Sequence, residues 1–248
     1  MKLNENMEQL RALVSRPSEL QVAIYGKYNH GKSSLLNALV GEEVFKTADI
    51  RETVKMQSHS QNGIRWIDTP GLDADVEEND DKIANELLTS SDLLLFVHSV
   101  NEGELDNKEL TFLKEQYEKN RNTILVLTQI DKTENLNNVQ KAIEKQLSFM
   151  TKPIEIIASS AKRASHDKKE IREQGNMDSI INKIKGNKQS IIKRRKKEKI
   201  TLKNILQEEI ESKLEELNKN KSKLLSNISQ LENDFLDDVI NVKEHQNY

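Results

Sequence analysis

The sequence predicts an α/β fold: a mostly parallel six-stranded sheet with one antiparallel edge strand, helices on both faces and a helical C-terminal extension. Three observations carry that prediction. Short apolar runs alternate with stretches whose apolar residues recur every three to four positions, the pattern of parallel strands and crossover helices. Loops rich in glycine and polar groups follow the carboxyl ends of those runs, where open α/β sheets hold their ligands. Beyond Gly186 glycine and proline disappear, and charged residues surround a repeating apolar stripe.

The elements follow in order. Leu3, Met7, Leu10 and Val14 recur at helical spacing, so a short helix occupies the segment 1–17 and ends before Pro17. Leu20 to Tyr25 is a buried strand ending at Gly26, and Ser33 to Val40 is a helix stopped near Gly41. Val54 to Ser60 and Ile64 to Asp68 are strands joined through Asn62-Gly63, a pair suited to a hairpin turn, which makes the antiparallel edge. Helices over 80–89, 107–119 and 138–150 alternate with strands over 93–97, 123–127 and 154–158. Three segments result: an N-terminal helix over 1–17, an α/β domain over 18–186, and a helical extension over 187–248.

In that extension apolar residues fall at Ile210, Leu214, Leu217, Leu224, Ile228, Leu231 and Phe235, with Lys221 in the one gap. This is heptad spacing, and intrinsic propensity alone leaves such a helix marginal in water, so the stripe calls for a covering. It either folds back as an antiparallel hairpin or pairs with another chain. A lysine at a core position sets register, which favours self-association or a partner helix. The basic run Lys193 to Lys197 reads either as a solvated helix face or as a contact for anionic lipid or RNA. No aromatic residues are interleaved there to stack on bases.

Composition excludes several classes. The 248 residues suit one α/β domain with an extension, and the net charge of −3 argues against bulk binding of polyanions. With no cysteine there is no disulfide scaffold, thiolate metal site or cysteine nucleophile, in keeping with a reducing interior. The N-terminus lacks the hydrophobic run of a signal peptide, and the longest apolar stretches are far too short to cross a bilayer. The expectation is a cytoplasmic protein, with peripheral contact at the inner face of a membrane left open. His59, His98, His166 and His245 show no spacing of a metal pair, and Trp66 reads as core. The acidic runs over 73–75 and 77–81 lack the spacing of a calcium loop.

Chemistry concentrates in four places. Gly26-Lys27-Tyr28-Asn29-His30-Gly31-Lys32-Ser33 matches G-x-x-x-x-G-K-[ST] between a strand and a helix. Its backbone N–H groups cradle phosphate, Lys32 neutralises the outer phosphates, and the Ser33 hydroxyl ligates Mg2+. Asp68-Thr69-Pro70-Gly71 ends a later strand, with Asp68 placed to hold the metal through water and the Gly71 N–H to sense the γ-phosphate. Thr128-Gln129-Ile130-Asp131 closes the fifth strand. A carboxylate there accepts two hydrogen bonds from guanine and finds no matching donors on adenine. At roughly 1.5–3 kcal/mol each, two such bonds give on the order of 10²- to 10⁴-fold discrimination. Ser160-Ala161-Lys162 ends the last strand and places backbone N–H groups at the guanine oxygen.

This ordered set, together with Thr53, resembles the translation-factor-related P-loop GTPases over roughly residues 18–185. It is most similar to the Era-like and bacterial dynamin-like branches, including proteins of the labile enterotoxin output A type. The resemblance implies a three-layer sandwich that binds GTP and GDP and hydrolyses GTP with Mg2+. Asn29, His30, Gly31, Lys32, Ser33, Ser34, Thr128, Gln129, Asp131, Ser160, Ala161 and Lys162 would contact the nucleotide. Ser33, Thr53 and Asp68 would serve the metal, with Lys32, Thr53, Asn29 and Gly71 at the reaction. Thr47 rivals Thr53 as the first-switch threonine. Gln129 departs from the family's usual lysine, and Leu72 stands where Ras-like proteins carry a glutamine that positions water. Asn29 either helps hold a K+ ion in place of an arginine finger, as in several Era-like GTPases, or merely shapes the loop. Arg51 is either a catalytic arginine or a solvated one. Three functions remain in view: a dynamin-like mechanochemical or regulatory switch, an Era-like GTPase acting on RNA or the ribosome, and a nucleotide-dependent scaffold with little turnover. The chain is short for a full dynamin-like stalk and lipid-binding tip, so a fragment of a longer protein also fits.

Overall fold

The computed structural model describes residues 2–15, 18–46, 57–69, 91–119 and 121–245. Strands β1 (Leu20–Gly26), β2 (Gln57–Gln61), β3 (Ile64–Asp68), β4 (Leu93–Ser99), β5 (Thr123–Thr128) and β6 (Glu155–Ala158) form one sheet in the order β2-β3-β1-β4-β5-β6. Only the β2–β3 pair is antiparallel; every other neighbouring pair is parallel. The hairpin turns at Asn62 and Gly63, both at positive φ, as a tight two-residue connection demands. The expected strand start at 54–56 and the expected helix over 80–89 lie outside the described residues.

Alternation of side chains explains how the sheet buries both faces. Leu93, Leu95 and Val97 of β4 join Val22 and Ile24 of β1 on one face, with Leu35, Leu36 and Leu39 from helix α2 (Lys32–Val40). Phe96 of β4 and Leu125 and Leu127 of β5 point the other way. There they meet Leu113 of α3 (Asn107–Glu118) and Ile143 of α4 (Leu136–Gln146). A period of two along each strand thus feeds two cores, giving three layers. Trp66 is buried in the first core, as expected.

After β6 the chain forms two short helices, α5 (Ala161–Ala164) and α6 (Lys169–Glu173), and then α7 (Met177–His245). Sequence periodicity marked none of these starts. The first turns of α7 cover the first core with Ile180, Ile184 and Ile191, spaced four and seven apart on one helix face.

Two compact units emerge: Pro17–Ile191, which contains the sheet, and residues 1–16 with Ile192–Tyr248. Within the second unit, α1 (Lys2–Ser15) runs beside α7, where the Asn6 amide donates to Glu209 Oε1 at 3.0 Å and Leu206 is buried. Farther along α7 the heptad residues from Ile210 to Phe235 are 46–67% exposed.

Candidate functional site

The carboxyl ends of β1, β3, β5 and β6 bring together the four motifs. At the end of β1, Gly26 adopts φ 154°, and a Cβ there would sit 2.2 Å from the Val97 carbonyl oxygen. Only glycine lets the loop start so close to β4. Asn29 at φ 59° and Gly31 at φ 82° then turn the backbone into α2, whose N-cap is Gly31. Asparagine tolerates the left-handed region better than most residues, which accounts for its place here. A helix start of this kind leaves its first N–H groups without intrahelical partners, the chemistry on which the expected phosphate cradle rests.

Lys32, largely buried, donates from Nζ to the Lys27 carbonyl oxygen at 2.9 Å, so its ammonium lies across its own loop. The Ser33 hydroxyl donates to Asp68 Oδ2 at 2.7 Å. Burial pushes the Asp68 carboxyl above its ordinary range, only partly offset by the Ser33 hydrogen bond and the Lys32 charge. Asp68 Oδ1 is buried and has no hydrogen-bond partner. A desolvated carboxylate with one idle oxygen beside a serine hydroxyl suits a hard, oxygen-seeking ion such as Mg2+. Thr69 donates its hydroxyl to the Ile24 carbonyl oxygen at 2.5 Å, tying the exit of β3 to β1. Thr47, Arg51, Thr53, Gly71, Leu72 and the acidic runs lie outside the described residues.

On the base side, Asp131 Oδ1 accepts from the Ser160 hydroxyl at 2.6 Å. The Ser160 oxygen also accepts from the Arg163 N–H at 3.1 Å, capping α5. This pairing holds the Asp131 carboxylate beside the segment Ser160-Ala161-Lys162. Thr128 Oγ1 donates to the His30 carbonyl oxygen at 2.6 Å. Gln129 takes up φ 59° and donates its amide Nε2 to the Asn29 carbonyl oxygen at 2.9 Å. Its Oε1 accepts from Asn101 at 2.7 Å and Lys132 at 2.9 Å. The glutamine therefore ties the Gly26–Ser33 loop to the turn after β5, so the departure from lysine preserves a donor at that point.

Sequence spacing missed one cluster. His98 is fully buried, with Nδ1 2.8 Å from Glu109 Oε1 and Nε2 3.0 Å from the Gly103 carbonyl oxygen. His30 packs edge-on against it at 5.3 Å and places Nε2 2.9 Å from Glu102 Oε1. Lys27 lies 3.1 Å from Glu102, 2.8 Å from Asp106 and 3.7 Å from Glu109. Burial pulls the Lys27 ammonium down, but hydrogen bonds to Asp106 and Glu102 and the charge of Glu109 raise it above its ordinary value. The sequence places His98 at a strand end with no metal-pair spacing; the fold brings His30 beside it from a distant segment. The one available signal was local, the D-x-x-E capping box of Asp106 and Glu109 that fixes the start of α3.

Residues 21–129 match the family described as 50S ribosome-binding GTPase. The chain is 46% identical over 147 residues to the uncharacterized protein ACIAD1443 of Acinetobacter baylyi, covering 57% of this chain and 35% of that one. It is 34% identical over 152 residues to the GTPase Era of Thermosipho melanesiensis, covering 57% and 50%. It thus spans a third to a half of the length of these relatives. A structure described as an oligomerised bacterial dynamin pair that senses and tethers membranes shares the fold at TM-score 0.58 and 20% identity, over 99% of this chain and 49% of that one.

Proposed function

We propose that this chain is a P-loop GTPase of the translation-factor-related class, akin to its Era-like and dynamin-like branches, and that it cycles between GTP and GDP as a dynamin-like regulatory or mechanochemical switch. The observation that carries the reading is the pairing of two sites. Ser33 and Asp68 are hydrogen-bonded at 2.7 Å where the motifs lead us to expect the metal, and Ser160 holds Asp131 at 2.6 Å where they lead us to expect the base.

In this mechanism the phosphate loop binds the β- and γ-phosphates through its N–H groups while Lys32 leaves the Lys27 carbonyl for the phosphate oxygens. Ser33 and Asp68 are the described residues that would hold Mg2+, with Thr53 as the expected switch ligand, and the ion would supply charge neutralisation to the phosphates. Asp131 accepts from guanine, and the Ala161 and Lys162 N–H groups face its carbonyl oxygen. Leu72 offers no group to polarise water, so turnover by the isolated chain is slow and waits on a partner or on K+ at Asn29. The exposed heptad stripe of α7 supports output through a second helix, from another copy or a partner. Peripheral membrane contact through the basic run of α7 is part of the same reading.

A second reading, an Era-like GTPase acting on RNA, draws on the 34% identity to Era. A third, a scaffold with little turnover, draws on Gln129 and Leu72. The primary test compares GTP, GDP and ATP affinities beside single-turnover hydrolysis in K+ and Na+. Equal affinity for GTP and ATP removes the GTPase reading, equal rates in the two salts remove the K+ role, and absent turnover selects the scaffold. Co-sedimentation with anionic liposomes and with ribosomal RNA, with and without a non-hydrolysable analogue, separates the first two readings.

A further inference from the structure

The cluster beside the phosphate loop has the anatomy of a transition-metal centre. His30, His98 and Glu109 come from the loop, from β4 and from α3, and their exposures are 1%, 0% and 0%. One donor atom from each lies within 4.8 Å of the others. His98 Nδ1 is 2.8 Å and His30 Nδ1 is 3.7 Å from Glu109 Oε1.

Two of the three groups are held at the atom remote from the meeting point. His98 Nε2 lies 3.0 Å from the Gly103 carbonyl oxygen, while His30 Nε2 lies 2.9 Å from Glu102 Oε1 without making a hydrogen bond. Glu109 Oε2 accepts from the Asp106 N–H at 3.0 Å. A backbone carbonyl or carboxylate behind each imidazole is the outer shell that orients metal-bound histidine and fixes its proton on the far nitrogen. The two Nδ1 atoms and a carboxylate oxygen converge in a buried interior. Such a convergence requires a positive centre between them, either a proton on the His98–Glu109 contact or a cation.

We propose that His30, His98 and Glu109 bind a divalent first-row transition-metal ion, Zn2+ foremost. At bond lengths of about 2.0–2.1 Å, tetrahedral ligand atoms lie roughly 3.3 Å apart, and the two measured separations from Glu109 Oε1 fall on either side of that. Two imidazoles and a carboxylate suit Zn2+ and exclude Mg2+, which seeks oxygen and keeps its water. Lys27 is held most closely by Glu102 and Asp106, at 3.1 and 2.8 Å, and lies farther, at 3.7 Å, from Glu109. The Ser99 N–H and the Val97 carbonyl oxygen each compete for His30 Nδ1 from 3.3 Å, a length at which a hydrogen bond is weak. Bound metal would join the phosphate loop to β4 and α3, so occupancy would govern loop rigidity without touching the nucleotide.

The test is Zn2+ and Co2+ titration of the chelator-stripped full chain against a chromophoric competitor. One equivalent is expected, with the visible absorption of four-coordinate Co2+ and a rise in melting temperature. His98→Gln and Glu109→Gln should each abolish stoichiometric uptake, Glu102→Gln should weaken it about 10- to 100-fold as loss of an outer-shell partner does, and exposed His166→Gln should leave it unchanged. No uptake by the folded wild-type chain overturns the proposal. Uptake that survives in Glu109→Gln, or in a folded His98→Gln, also overturns it by marking an adventitious ion only.

Discussion

At the residue scale, side chains at the site hold one another in place with the contacts that nucleotide and metal would take over. Asp68 shows the tension most plainly. Its carboxyl is raised by burial, so the charged form opposes folding once pH exceeds the ordinary carboxylate range, and the cost is complete above the folded value. Asp68→Asn keeps an acceptor for Ser33 and removes that cost. Its nucleotide-free melting temperature should therefore rise at pH 7 while Mg2+-dependent GTP affinity falls, as calorimetry and a fluorescent-nucleotide assay would show. Asp131→Ala should erase the guanine preference, a loss on the order of 10²- to 10⁴-fold in the GTP-to-ATP affinity ratio. Gln129→Ala removes the tie to Asn29 and should weaken GTP binding roughly tenfold, the worth of about one hydrogen bond. Lys32, Ser33, Asp68, Asp131 and Ser160 were legible in the sequence because each motif fixes both residue type and distance from a strand end. His98 and Glu109 were not, since their pairing depends on how β4 and α3 pack, which no spacing encodes.

At the element scale, the largely parallel sheet and its antiparallel edge hairpin followed from short apolar runs alternating with helical stretches and from Asn62-Gly63. The early start of α7 did not, because Met177 to Ile191 interleaves charges with a few isoleucines and carries Gly186. That glycine sits within a helix, and a methyl group added there would meet nothing within 4 Å. Gly186→Ala should accordingly stabilise the chain by about 0.4–1 kcal/mol, measurable by urea unfolding. The stripe farther along α7 makes a separate prediction. If Leu217 and Leu224 seat against a second helix, changing both to lysine should weaken association at least 100-fold, since each buried leucine contributes about 1.5–3 kcal/mol. Sedimentation equilibrium would show this, and GTP affinity should stay within about twofold.

For the whole molecule, the charge network around Lys27 sets how the chain responds to acid. Asp106 is drawn below its ordinary value because hydrogen bonds from Lys27 and backbone N–H groups outweigh burial. A depressed carboxyl adds stability above its unfolded value, near 3.9, which is lost as pH falls through the folded one. Lys27→Met should thus cost about 1 kcal/mol at pH 7, with the deficit against wild type shrinking below pH 4; chemical unfolding across that range checks it. The same loop sets what phosphate capture would yield. Because the Lys32 ammonium already rests on the Lys27 carbonyl, an arriving triphosphate would exchange a contact instead of gaining one, so the net contribution of Lys32 to affinity should be smaller than its charge alone suggests.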